Sequence, residues 1–184
     1  MQKLESNKEN IIDKGIEFIF NTLSMKKKFI FGIILIIILS LPIKVLLASD
    51  YKTEDYIKSW KIKDGDIFLV EHTHSVQLTT VSEMYKIDGQ DIILVESNFH
   101  SLGAGLPATT PYKFELTEGG LRIYDINQVM EYLVYRAGAV RANHRLIYND
   151  KQYNFLDFTE ARTGVKFSIN RMPYFIFKIR EGLN

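Results

Sequence analysis

The feature that most constrains this chain is a long apolar segment near its N-terminus, Phe29–Ala48, which reads FIFGIILIIILSLPIKVLLA. Twenty helical residues rise about 30 Å, which matches the hydrocarbon thickness of a bilayer. The one charged residue of the segment, Lys44, lies near its end, where a long side chain can reach the headgroups. We therefore predict one transmembrane helix over residues 29–48.

The flanking charges predict how this segment is oriented. Lys26, Lys27 and Lys28 directly precede it, so the positive-inside rule places residues 1–28 in the cytoplasm and residues 49–184 outside. This predicts a single-pass protein of the cell (inner) membrane, with the lipid bilayer as a partner. The alternative is a signal peptide cleaved after Ala48, but Leu46 occupies a position where cleavage requires a small residue. The leader, residues 1–28, has an apolar helical face that suits the inner membrane surface or a partner protein.

Beyond about residue 49 the pattern changes to the alternation of β-strands. Apolar and polar residues alternate over Tyr112–Leu116, over Val165–Ile169, and through Phe175, Phe177 and Ile179. The aromatic and β-branched centre of Gln128–Ala137 also favours a strand. We count nine or ten short strands, which predicts an all-β domain, an antiparallel sandwich or barrel.

Five residue pairs suit tight turns between these strands, because glycine, asparagine and aspartate tolerate a positive φ. They are Asp64-Gly65, Asp88-Gly89, Gly119-Gly120, Asn149-Asp150 and Thr163-Gly164.

The segment Gly103–Ala108 fits the dinucleotide pattern G-x-G-x-x-A, but its context does not. In that motif a helix begins at the glycines, whereas here Pro107 and a strand pattern follow. We therefore predict no nucleotide, and assign Gly103 and Gly105 to a tight loop that Pro107 stiffens. The formal net charge of +1 gives no reason to expect nucleic acid, and the absence of cysteine excludes thiol chemistry and disulfides.

The histidines suggest a metal site as one alternative. His72 and His74 share a face of a predicted strand, and with His100 or His144 they could hold zinc with an open fourth position. The other interpretation is that each is an ordinary polar side chain, and we predict no cofactor. His74 and Ser75 are neighbours on a strand and face opposite ways, so they do not form a serine-hydrolase pair.

A basic stretch, RAGAVRANHR, contains Arg136, Arg141, His144 and Arg145. Guanidinium groups bind carboxylates or phosphates, so the stretch suits an anion. The alternative, which we favour, is structural: a solvated loop or salt bridges to Glu83 or Glu96.

The stretch from His74 to Pro107 resembles the bacterial DUF1850 family, a domain of unknown function. The matching positions are His74, Ser75, Val76, Thr79, Val81, Glu83, Glu96, Ser101, Gly103, Ala104, Gly105, Leu106 and Pro107. Thr80 stands where that family often has proline. The resemblance implies no activity, but it implies an accessory role beside tripartite ATP-independent periplasmic (TRAP) transporters of the TAXI type, with the permease or its solute-binding protein as the partner.

These observations predict an extracytoplasmic accessory or binding domain rather than an enzyme. The predicted ligand or partner surface comprises His74, Ser75, Glu83, Glu96, Ser101, Gly103, Gly105, Pro107, Arg141 and His144. The alternatives are a zinc-dependent or anion-processing enzyme that uses His72, His74 and His144, and a purely structural envelope protein.

Overall fold

Eleven strands make up most of the part of the chain described by the computed structural model, which covers residues 25–74, 78–100, 110–118, 120–139 and 141–182. Two α-helices flank the strands: α1, residues 25–40, and α2, Tyr174–Gly182. The strands are β1 (Pro42–Asp50), β2 (Tyr56–Lys61), β3 (Ile67–Thr73), β4 (Thr80–Asp88), β5 (Asp91–Phe99), β6 (Lys113–Thr117), β7 (Gly120–Met130), β8 (Tyr132–Arg136), β9 (Arg145–Tyr148), β10 (Lys151–Asn154) and β11 (Gly164–Pro173).

The strands form two antiparallel sheets that share one apolar core. One sheet has the order β2-β1-β11-β8, and the other has the order β10-β9-β3-β4-β5-β7-β6. Leu46 and Phe167 of the first sheet and Phe68 and Ile87 of the second belong to the same buried cluster. The prediction of a mostly β protein is therefore confirmed. The sheets do not close into one barrel, so the barrel alternative is wrong, and two sheets around one core is the arrangement of a sandwich.

The structure corrects the predicted helix of residues 29–48. The helix ends at residue 40, and Pro42–Asp50 is strand β1, which pairs with β11 on one side and with β2 on the other. Pro42 disfavours helix for the residue before it and is tolerated as the first residue of a strand. The folded β domain therefore begins at Pro42 rather than at residue 49.

The apolar composition of β1 has a structural cause. Leu46 and Ala48 face the core between the sheets, while Val45 faces the other way and is covered by Phe177 of α2. A strand buried on both faces reads as a continuous apolar run, and such a run has the same composition as part of a membrane helix.

Helix α2 is a second correction, because the alternation at Phe175, Phe177 and Ile179 predicts a strand. The segment is instead helical, and it buries Phe177 against Val45 and Met172 on the outer side of the four-stranded sheet. The short run FIFKI fits both periods, and the apolar surface of β1 and β11 favours the helix that covers it.

Three of the predicted turns are confirmed, whereas Thr163-Gly164 is not one: the positive φ there belongs to Arg162 (74°), and Gly164 already begins β11. Gly65 (φ 85°) lies between β2 and β3, and Gly89 (φ 58°) lies in the β4–β5 hairpin. Asn149 and Asp150, with φ of 51° and 59°, form the two-residue turn between β9 and β10. The strand prediction for Gln128–Ala137 is also confirmed, by the end of β7 and by β8.

Helix α1 exposes apolar side chains on all sides. The exposed fractions range from 42% for Ile33 to 70% for Phe29. In the part of the chain that the structure describes, no helix combines the length and the apolar character that a bilayer crossing requires.

The course of β1 defines two ends of the β domain. The proximal end adjoins α1: it holds Pro42, Pro173 opposite it, and the hairpin at Gly89, whose carbonyl accepts a hydrogen bond from Lys44 at 2.5 Å. The distal end lies where β1 finishes and β11 begins, since Asp50 pairs with Val165. Nine residues of strand separate the two ends by roughly 30 Å.

Candidate functional site

A polar link joins the two sheets inside the distal half of the domain. Tyr135, on β8, donates a hydrogen bond across the interior to the carboxyl group of Glu83, on β4. Since that proton is committed to Glu83, the hydroxyl of Tyr85 donates to Tyr135, at 2.5 Å. Burial, together with the Glu83 carboxyl, raises the pKa of both phenols far above the ordinary value, so both stay protonated and act as donors.

Two histidines lie beside this link. The rings of His72, near the end of β3, and His144, just before β9, stack at a centroid distance of 5.1 Å and an interplanar angle of 13°. The ring of His144 also lies 6.3 Å from that of Tyr135. We call Glu83, Tyr85, Tyr135, His72 and His144 the distal cluster.

Both histidines of the distal cluster are held in the neutral form. Burial lowers the pKa of His144 to about 4, and burial also lowers that of His72, against the opposing influence of Glu83. Nδ1 of His144 accepts a hydrogen bond from the backbone N–H of Gly138 at 3.2 Å, so its proton resides on Nε2. Nδ1 of His72 is buried and has no hydrogen-bond partner among the described residues.

These pKa shifts predict that acid destabilises the protein. The pKa of His144 is about 4 in the folded state and 6.5 as the ordinary value, so the unfolded chain binds more protons between those values. Stability should be full above pH 6.5 and should fall by about 1–2 kcal/mol as the pH drops through this window, since the ring is only partly buried. Thermal unfolding of the detergent-solubilised protein across this range measures the effect.

The matched control for this prediction is His144→Gln, which keeps an acceptor for the N–H of Gly138 but cannot titrate. We expect a smaller loss of stability on acidification in this variant. An unchanged loss would show that His144 is not the group responsible.

The rings of His72 and His144 do not converge on one metal position. A metal ion binds in the plane of an imidazole ring. Two rings stacked face to face have nearly parallel planes, so their nitrogen lone pairs do not point at one common position. Within residues 25–74, 78–100, 110–118, 120–139 and 141–182, no group of three His, Asp or Glu side chains is placed to hold a metal ion. Zinc binding by His72, His74 and His144 stays a prediction.

The opposite face of the seven-stranded sheet carries a row of polar side chains across six strands. Consecutive register partners from β9 to β6 are Arg145, Glu71, Ser82, Asn98, Arg122 and Glu115. Ion pairs join Arg145 to Glu71 at 2.7 Å and Arg122 to Glu115 at 2.8 Å. The row fixes the register of the strands, because charges of opposite sign stand opposite each other.

Glu83 and Glu96, which the sequence places in one surface, lie on different faces of this sheet. Glu96 belongs to the outer face, where its Oε2 accepts a hydrogen bond from Arg122 at 2.6 Å, and that guanidinium lowers the pKa of its carboxyl. A bulge in β5 between Leu94 and Glu96 shifts the alternation by one residue, and no sequence pattern marks it.

The arginines of the basic stretch RAGAVRANHR also have different environments. Arg145 pairs with Glu71, rather than with Glu83 or Glu96. Arg136 and Arg141 are exposed, and the Nε of Arg136 donates to the carbonyl of Arg162. The salt-bridge interpretation therefore holds for Arg145, with a different partner, while the solvated-loop interpretation fits Arg141.

The remaining predicted surface residues occupy the distal end or lie outside the described residues. The backbone N–H of His74 donates to the carbonyl of Thr79 at 2.8 Å, which closes the turn between β3 and β4 at the distal end. The predicted residues outside the described part of the chain are Ser75, Ser101, Gly103, Gly105 and Pro107.

The loop that holds His144 depends on glycine at position 138. A Cβ on Gly138 would lie 2.2 Å from the Cβ of Ala142, so a side chain there is incompatible with the close approach of the two ends of the loop. The carbonyl of Ala142 accepts from the N–H of Thr73 at 2.8 Å, which fastens this loop to the end of β3. The loop therefore positions His144 against His72.

A shallow cleft of about 260 Å³ opens beside the polar row, near the distal end. It is lined by Glu71, Ser82, Asn98, Phe99, His100, Thr117, Gly120 and Leu121. This is below the usual range for a site that encloses a small molecule.

Sequence reasoning missed the tyrosines of the distal cluster and Arg122. Tyr135 lies in a predicted strand, but its hydrogen bond to Glu83 joins residues 52 positions apart in different sheets. The only available signal was the tyrosine itself, since a buried phenol requires a hydrogen-bond partner.

The comparison with protein families agrees with the resemblance seen in the sequence. Residues 68–155 match the family described as "Domain of unknown function (DUF1850)". This range runs from β3 to the residue after β10, and it includes the whole distal cluster. No curated protein and no solved structure matches the chain.

Proposed function

We propose that this protein is a membrane-anchored accessory domain that presents its distal end to the solute-binding protein of a TRAP transporter of the TAXI type. The proposal combines the transporter association implied by the DUF1850 resemblance with the relative positions of α1 and the distal cluster. The partner recognises a rigid two-sheet surface, and no chemical reaction is involved.

Helix α1 is the anchor in this proposal. Its side chains Phe29, Phe31 and Ile36 are each at least 65% exposed, and so much apolar surface is stable only when lipid or another apolar environment covers it. The apolar part of α1 is shorter than the hydrocarbon thickness of a bilayer. In this proposal, local thinning of the bilayer and the long side chains of the preceding lysines compensate for the difference. Those lysines orient the anchor with its N-terminal side in the cytoplasm and the β domain outside.

The observation that carries the choice of partner is the distance between the anchor and the distal cluster. Strand β1 leads directly from α1 through the domain, so the distal end, toward which Glu83, His72 and His144 lie, is roughly 30 Å from the point where α1 ends. A surface held at that distance meets a soluble protein more readily than a permease embedded in the bilayer. The solute-binding protein is therefore the partner that we favour over the permease.

Exposed arginines near the distal end indicate the chemistry of the partner. Arg136, Arg141 and Arg162 are exposed, and the N–H of Arg162 donates to the carbonyl of Ala137, where the loop that precedes His144 begins. Exposed arginines in a rigid frame bind carboxylates through paired hydrogen bonds. We therefore expect an acidic patch on the solute-binding protein.

Site-specific photo-crosslinking in intact cells tests this proposal. A photoreactive residue replaces Arg141 at the distal end or, as the matched control, Arg171, an exposed arginine near the proximal end. We expect Arg141 to crosslink to the solute-binding protein encoded nearest the gene, and Arg171 to give no such product. Adducts are identified by mass spectrometry.

Two results would contradict the proposal. Equal crosslinking of the solute-binding protein from both positions would remove the role of the distal end. Crosslinking of the permease from Arg141 would show that the distal end faces the membrane protein instead.

A further inference from the structure

Helix α2 has one face buried on the sheet and one face that carries exposed apolar side chains. Phe177, on the buried face, is 6% exposed, and Arg180 stacks on the ring of Tyr56 at 3.9 Å. On the opposite face Phe175 is 39% and Ile179 is 57% exposed. Residues four apart on a helix adjoin each other, so these two side chains form a continuous apolar strip.

The position of α2 places this strip beside α1. The backbone N–H of Tyr174 donates to the carbonyl of Leu41 at 3.1 Å, and Leu41 is the residue between α1 and β1. Pro173, which precedes α2, stands opposite Pro42, which follows Leu41. Both helices therefore leave the four-stranded sheet at the same point of the proximal end.

The charges around the strip complement an anionic surface. Between residues 171 and 182 the basic side chains are Arg171, Lys178 and Arg180, and the one acidic side chain is Glu181. Lys178 lies on the same helical face as Phe175 and Ile179, and its side chain is 53% exposed although it pairs with Glu181. Apolar side chains beside basic ones are typical of helices that lie in the interface of a bilayer with anionic lipids.

We propose that the face of α2 formed by Phe175, Lys178 and Ile179 rests on the headgroup region of the membrane and fixes the tilt of the β domain. This rests on the proposed anchoring by α1, which brings α2 to the bilayer surface. A helix attached at one residue leaves the domain free to rotate, whereas a second contact removes that freedom. The two side chains insert shallowly, and the basic groups bind lipid phosphates.

Depth-dependent fluorescence quenching tests this in the full chain. The chain has no cysteine, so single cysteines at Ile34, Ile179 or Leu78 accept an environment-sensitive fluorophore at one site each. The protein is reconstituted in vesicles of phosphatidylcholine and phosphatidylglycerol that contain a lipid quencher. Leu78 is the control, since it is 66% exposed and lies in the turn at the distal end.

We expect strong quenching at Ile34, intermediate quenching at Ile179 and none at Leu78. Lys178→Glu should reduce quenching at Ile179 and leave Ile34 unchanged. Quenching at Ile179 no greater than at Leu78, with Ile34 quenched, would overturn the inference and leave the anchor intact. An unquenched Ile34 would instead refute the anchor, and with it the proposed function.

Discussion

A fragment that begins at Tyr51 should fail to fold, whereas a fragment that begins at Pro42 should fold cooperatively. The two differ only by β1, whose residues Val45, Leu46 and Ala48 are fully buried. Burial of a Val or Leu side chain contributes about 1.5–3 kcal/mol, and whole domains are stable by only about 5–15 kcal/mol. Removal of β1 also leaves β2 without its partner strand and opens one edge of β11.

Circular dichroism and denaturant unfolding of the two purified fragments measure this effect. The shorter fragment should give a disordered spectrum without a cooperative transition. A native-like transition in that fragment would mean that β1 is dispensable. Cleavage after Ala48 would separate most of β1 from the domain, so the shorter fragment also measures what such cleavage would do to the fold.

The second large effect is expected at the link between the sheets. Tyr135→Phe removes the hydrogen bond that the phenol donates to Glu83 and leaves a carboxyl group in the interior with one donor fewer. Hydrogen bonds to charged groups contribute about 1.5–3 kcal/mol, and a buried group left unsatisfied carries a further penalty. We expect Tyr135→Phe to lower the free energy of unfolding by about 2–3 kcal/mol.

A double-mutant cycle separates this link from general packing. Tyr135→Phe, Glu83→Gln and the double variant are compared by urea unfolding, and we expect a coupling energy of about 1–3 kcal/mol. Tyr153→Phe is the matched control, because it removes a hydroxyl from a ring that packs on Trp60 outside the distal cluster. Additive effects of Tyr135→Phe and Glu83→Gln would show that the contact does not stabilise the fold.

The link also relates stability to the proposed docking surface. Tyr135 and Glu83 connect the two sheets behind the loop that presents Arg141 and His144. Loss of the link should loosen the distal end first, since the proximal end has its own fastening through Lys44, which contacts both Asp64 and Gly89 at 2.5 Å. The crosslink expected from Arg141 should therefore weaken in Tyr135→Phe.

The sequence alone determined the local features of this protein. The turns at Gly65, Gly89 and Asn149–Asp150 could be predicted because a positive φ is a property of one or two residues. The mostly β character followed from alternation along single strands, and the DUF1850 resemblance followed from the order of residues in the chain.

Only the tertiary structure decided where the apolar segment divides and which polar residues meet. Residues 29–48 have one composition, yet helix ends at residue 40 and β1 begins at Pro42, because neighbouring strands and α2 cover both faces of β1. Glu83 lies inside and Glu96 outside because of a bulge in β5. Contacts between distant residues depend on the register and packing of whole sheets, and local patterns do not encode these.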